Sequence, residues 1–87
     1  TPRKGGREVQ NVKISIVFEK PVEWYVVRIY DLKGNLVYKA ERSGAYGNGE
    51  VYWDGKDLMG FDVAGGVYVY KIEADGQVYS GTIVIAR

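Results

Sequence analysis

The 87-residue chain contains neither cysteine nor histidine. Without cysteine there is no disulfide and no thiolate metal site to staple the fold, although this leaves the cellular compartment open. Without histidine the commonest general base, the commonest zinc ligand and the usual pH switch are all missing. Neither sign of charge is in excess, since 12 Lys and Arg stand against 11 Asp and Glu for a net charge of +1. No dense cationic field is available to neutralise phosphates, so nucleic acid is not an expected partner. No apolar run approaches the roughly 20 residues that cross a bilayer, and no membrane span is expected. No signal-peptide pattern opens the sequence, and Thr1–Gly6 reads as a polar Pro/Gly linker from inside a longer protein.

Aromatic residues are what the chain has in quantity: eight Tyr, two Trp and two Phe. Large rings bury on the order of 150–250 Å² each, which lets a small module build a core without disulfides. A domain of this size buries only about 60–65% of its unfolded surface, so those rings matter. The expected organisation is a linker over 1–6 and a single domain over 7–87.

Strand signals run the length of that domain. Val12, Ile14, Ile16 and Phe18 alternate with Lys13, Ser15 and Val17, the period-2 pattern of a half-buried strand. A second strand is expected from about Glu23 to Leu32, with Tyr25, Val27 and Ile29 inward and Trp24, Val26, Arg28 and Tyr30 outward. Lys33-Gly34-Asn35 turns the chain into Leu36–Ala40. Ser43–Asn48 reads as a loop and Glu50–Trp53 as a short strand. Asp54–Gly66 is a long Gly-punctuated connection. Val67–Ala74 and Gln77–Ala86 form a hairpin about Asp75-Gly76, a type I′ signal. No segment keeps helical periodicity over three turns. The pattern predicts an all-β, immunoglobulin-like (fibronectin III-like) antiparallel β-sandwich of about seven strands.

Catalytic parts are scarce. Ser15, Ser43 and Ser80 stand beside no plausible base. Asp54, Asp57 and Asp62 share one loop and are the candidates for a calcium site, because hard oxygen ligands on a Gly-rich loop suit that ion. Their spacing departs from the EF-hand pattern and Lys56 sits among them; turn capping through their own backbone is the plainer reading. Trp24, Tyr46, Tyr52, Phe61 and Tyr79 are candidates for an exposed aromatic row of the kind that binds carbohydrate. Outward Tyr as cross-strand partner is the plainer reading there. Trp53 reads as a core plug, and Gly34, Gly60 and Gly66 as positions of positive φ or close backbone approach.

Three stretches carry a resemblance. Val27-Arg28-Ile29-Tyr30-Asp31-Leu32-Lys33-Gly34-Asn35-Leu36-Val37 forms one hairpin. Trp53-Asp54-Gly55-Lys56-Asp57, then Gly60 and Val63-Ala64-Gly65-Gly66-Val67-Tyr68, form the second. Thr82–Arg87 is the last strand with a basic end. Together they resemble the immunoglobulin-like domain family named for the flagellar hook-capping protein FlgD. That family is similar to the C-terminal sorting domains of type IX secretion cargo. The motif residues are Asp31, Gly34, Trp53, Asp54, Gly55, Gly60, Gly66 and Tyr68.

The resemblance implies a non-catalytic C-terminal accessory module of a secreted or cell-surface bacterial protein, acting in secretion or sorting, attachment or assembly. Its partners would be an upstream domain of the parent protein and the secretion machinery or a surface component. No cofactor is expected. Two alternatives stand beside it: a carbohydrate-binding accessory module of a secreted hydrolase, and a flagellar hook-capping scaffold domain. The first and last strands, near Lys13 and Thr82, are the expected docking edges.

Overall fold

The computed structural model describes residues 12–18, 20–45 and 48–86. The expected linker over 1–6 lies outside them. Six strands are present among the described residues: β1 (Val12–Val17), β2 (Val22–Tyr30), β3 (Leu36–Ala45), β4 (Asn48–Trp53), β5 (Gly66–Ala74) and β6 (Gln77–Ile85). The expected all-β antiparallel sandwich is thus present, with six of its about seven expected strands among the described residues. All pairings are antiparallel. One sheet has the order β3-β2-β5-β6 and the other pairs β1 with β4.

The core lies between the sheets. Ile14 and Phe18 from the β1 side, and Val51 and Trp53 from β4, meet Tyr25, Val27 and Ile29 of β2 and Tyr68, Ile72, Ile83 and Ile85 of β5 and β6. The inward residues are those the alternation selects, because successive strand side chains point to opposite faces. Two residues of β2 on the outward parity depart from it: Val22, which belongs to the core cluster, and Val26, which is buried. Val26 sits between Glu41 of β3 and Glu73 of β5 in register, with Trp24 and Arg28 beside it on its own strand. Long side chains in such positions shelter a smaller neighbour with their apolar stems, and Arg28 and Glu73 form an ion pair beside it.

Two boundaries differ from the sequence reading. Ser43–Ala45 belongs to β3 rather than to a loop, and β4 begins at Asn48 rather than Glu50. Long-range pairing explains both: Arg42 and Ser43 lie opposite Tyr25 and Trp24, and Asn48 and Gly49 opposite Val17 and Ile16. Gly49 also has a packing reason, because a Cβ there would stand 2.9 Å from the Phe18 ring and 3.0 Å from that of Tyr25.

Candidate functional site

The distinctive stretch from Trp53 to Tyr68 folds from the core outward. Trp53 is completely buried. Its ring meets that of Tyr68 edge-on at 5.5 Å and that of Tyr38 at 6.2 Å, geometries that aromatic pairs favour. Its Nε1–H donates to the carbonyl of Lys56 at 2.9 Å, which satisfies the buried indole and fixes the start of the loop. Tyr68 anchors the other end, its hydroxyl donating to the carbonyl of Ala64 at 2.6 Å.

Between these anchors the loop is a small hairpin. The Asp54 carboxylate accepts the N–H of Lys56 at 3.1 Å. Gly55 takes φ +77° and its carbonyl accepts the N–H of Val63 at 2.9 Å. Lys56 and Asp62 form a bridge, and Lys56 Nζ lies 2.9 Å from Asp62 Oδ1. The tip is a turn over Asp57–Phe61. There the Asp57 carboxylate oxygen Oδ1 accepts the N–H groups of Met59 at 2.9 Å and Phe61 at 3.0 Å. The backbone of Asp57 accepts from Gly60 at 3.0 Å and donates to Phe61 at 2.8 Å.

The same turn occurs a second time. Asp31 Oδ1 accepts from the N–H groups of Lys33 and Asn35, both at 2.9 Å. The Asp31 carbonyl accepts from Gly34, and its N–H donates to Asn35, each at 3.0 Å. The glycines match as well, with φ +92° at Gly34 and +90° at Gly60. The visible signal is Asp31-Leu32-Lys33-Gly34 beside Asp57-Leu58-Met59-Gly60. In the sequence the glycines stand out, whereas the repeat shows only in the hydrogen bonds. The backbone N–H of Asn35, then its side-chain amide, hold the Asp31 carboxyl below the ordinary carboxylate value. Both turns stand at one end of the sandwich, since β2 ends opposite the opening of β5. Their tips expose Leu32, Leu58, Met59 and Phe61.

The remaining candidates are placed as follows. Asp54, Asp57 and Asp62 point into separate local interactions, and among the described residues no group of three acidic or other ligating side chains is gathered for a metal. Gly66 opens β5 at φ +147°. Of the aromatic candidates, Trp24 is exposed on the outer face of the larger sheet, Tyr52 on β4, and Phe61 on the loop tip. Tyr79 instead packs on Phe18, with ring centroids 6.1 Å apart. These rings are distributed over both sheets and a loop rather than set in one row. Tyr46 lies outside the described residues.

The model of a known family, the FlgD Ig-like domain, matches residues 3–77, a stretch that includes the buried Trp, both Asp-capped turns and the Gly-Val-Tyr strand opening. The chain belongs to the FlgD Ig-like domain family. Among solved structures it is similar to FlgD from P. aeruginosa, with a TM-score of 0.70 and 26% sequence identity over 87% of this chain. The chain spans 60% of the length of that FlgD chain. No curated protein matches it significantly. The residues that carry the sequence resemblance have local structural tasks here. Asp31 and Gly34 build one turn, Asp54, Gly55 and Gly60 shape the loop, and Trp53 and Tyr68 fill the core end beneath it.

Proposed function

We propose that the chain is a non-catalytic scaffold domain of the hook-capping type, acting in assembly outside the bacterial cell as one part of a longer exported protein. The observation that carries this reading is the likeness to FlgD over 87% of the chain. The geometry agrees with a scaffold. The distinctive loop uses its carboxylates within itself, Asp54 and Asp57 on backbone N–H groups and Asp62 on Lys56, and what its tip offers outward is apolar: Leu58, Met59 and Phe61. Rigid loops that expose large side chains suit protein contacts, because little conformational freedom is lost on binding. The partners in this reading are the rest of the parent protein and other subunits of the assembly. The comparisons support assembly above sorting or carbohydrate binding.

The test is a chimera. In P. aeruginosa FlgD the Ig-like domain is replaced by this chain, and hooks are counted by electron microscopy in a strain lacking its own FlgD. The expected result is hooks above the number in the strain without FlgD. A chimera that is made, exported and folded yet yields no hooks would count against the reading.

A further inference from the structure

The edges of the two sheets are not alike. At one edge of the larger sheet, β3 carries Lys39, Glu41 and Arg42, with Lys39 and Glu41 paired at 3.7 Å. In the smaller sheet β1 carries Lys13 and β4 carries Glu50, paired at 3.6 Å. Charges of this kind are how natural sheets discourage a further strand from adding. The other edge of the larger sheet is β6, Gln77-Val78-Tyr79-Ser80-Gly81-Thr82-Ile83-Val84-Ile85, which has no charged residue and no proline over nine residues. Among the described residues its only strand partner is β5. Its outward side chains include Val78 and Val84, 59% and 70% exposed.

The order of residues along β6 says what would pair with it. Laid antiparallel on a second copy of itself with Gly81 opposite Gly81, Ser80 faces Thr82, Tyr79 faces Ile83 and Val78 faces Val84. Each is a favoured cross-strand pair: hydroxyl with hydroxyl, aromatic with β-branched, and β-branched with β-branched. Moving the centre to Ser80 sets Val78 against Thr82, and moving it to Thr82 sets Val84 against Ser80. Centres between residues oppose core-facing to solvent-facing side chains, which the period of two forbids. The Gly81 register matches like with like from Val78 to Val84 and sets only the terminal Gln77 against Ile85. It also places no charge against a like charge, because the strand has none.

We propose that β6 is a self-pairing edge, through which two copies of this chain join their four-stranded sheets into one continuous sheet about a two-fold axis at Gly81. The occupant is a second copy rather than a foreign strand because the complementarity lies within β6 itself. The assembly closes at two copies: an isologous contact uses the same patch on both partners, and each outer edge is then a charged β3. This goes beyond membership of a hook-type scaffold and does not depend on it.

The test is sedimentation velocity of the chain over a range of concentrations. A concentration-dependent dimer is expected for the unaltered sequence. Val78 and Val84 are solvent-facing, so substitutions there leave the fold intact, as thermal melting of each variant checks. V78K/V84K puts Lys against Lys twice in the proposed register and should weaken dimerisation about a hundredfold. V78K/V84E puts Lys against Glu twice and should restore the dimer, at low salt most clearly. A chain that stays monomeric at all concentrations overturns the proposal. So does a V78K/V84K variant that dimerises like the parent, a V78K/V84E variant as monomeric as V78K/V84K, or growth beyond the dimer.

Discussion

Removing Trp53 should cost the domain about a third or more of its stability. Its indole is fully buried, and it lies against both Tyr38 and Tyr68. Truncating a buried Trp or Phe to Ala costs about 3–5 kcal/mol, through lost transfer energy and the cavity left behind. The Nε1–H bond to the Lys56 carbonyl adds about 1 kcal/mol, more if that carbonyl finds no water. At roughly 0.05–0.15 kcal/mol per residue, a chain of 87 residues has about 4–13 kcal/mol in all. Trp53→Ala therefore removes between about a third of the stability and all of it. Trp53→Phe separates the two contributions: it keeps an aromatic ring in the core and deletes the indole donor. It should lose about 1–3 kcal/mol, or roughly 5–20 °C in Tm for a domain of this size. Urea unfolding followed by far-UV circular dichroism measures both, and Trp24 supplies an exposed fluorophore in either variant. A loss under about 1.5 kcal/mol for Trp53→Ala would refute the assignment of Trp53 as the plug of the sandwich.

Asp57→Ala removes the acceptor for two backbone N–H groups of the loop tip and should lower stability by about 1–2 kcal/mol, read from urea midpoints. The larger effect should be faster hydrogen exchange at Met59 and Phe61, with the core amides unchanged. Gly81→Ala should be costly despite its small size, because a Cβ there would stand 2.4 Å from the Tyr70 hydroxyl; a loss of about 1–3 kcal/mol, partly recovered in Gly81→Ala/Tyr70→Leu, is expected from thermal melts. Asp31 gives a pH test. Its carboxyl titrates lower in the folded chain than in the unfolded one, so its stabilising contribution is complete above the ordinary value of 3.8 and disappears as the pH falls through the lowered folded value. Asp31→Ala should then be less stable than the parent at about pH 7 and should lose part of that difference by about pH 2, as urea titrations at both values will show.

Much of the fold is legible in the residues because each local signal agrees with the tertiary result. The alternation in Val12–Phe18 and the Tyr25-Val27-Ile29 face give their burial directly. Asp75-Gly76 takes positive φ at both residues, as a type I′ turn requires. What escaped has a common cause. The end of β3, Ser43-Gly44-Ala45, reads as loop in the sequence, and it is a strand because β2 pairs with it from the distance of a hairpin. Val26 sits on the outer face by parity yet is buried beside charged cross-strand neighbours, a long-range effect that periodicity does not record. At the candidate site the glycines and aspartates were legible singly. That Asp31-Leu32-Lys33-Gly34 and Asp57-Leu58-Met59-Gly60 build one turn twice became visible only through their hydrogen bonds. The Trp-Asp-Gly stretch stands out in the sequence because its backbone demands are strict, and those demands are met within the loop.

On the proposed reading this domain acts by assembly. The most direct measurement deletes the segment encoding it from the parent gene in the source bacterium, then counts hooks by electron microscopy and assays the truncated parent protein inside and outside the cell. Hooks should be lost while the truncated protein is still exported. Intact hooks, or a truncated protein trapped inside the cell, would contradict it.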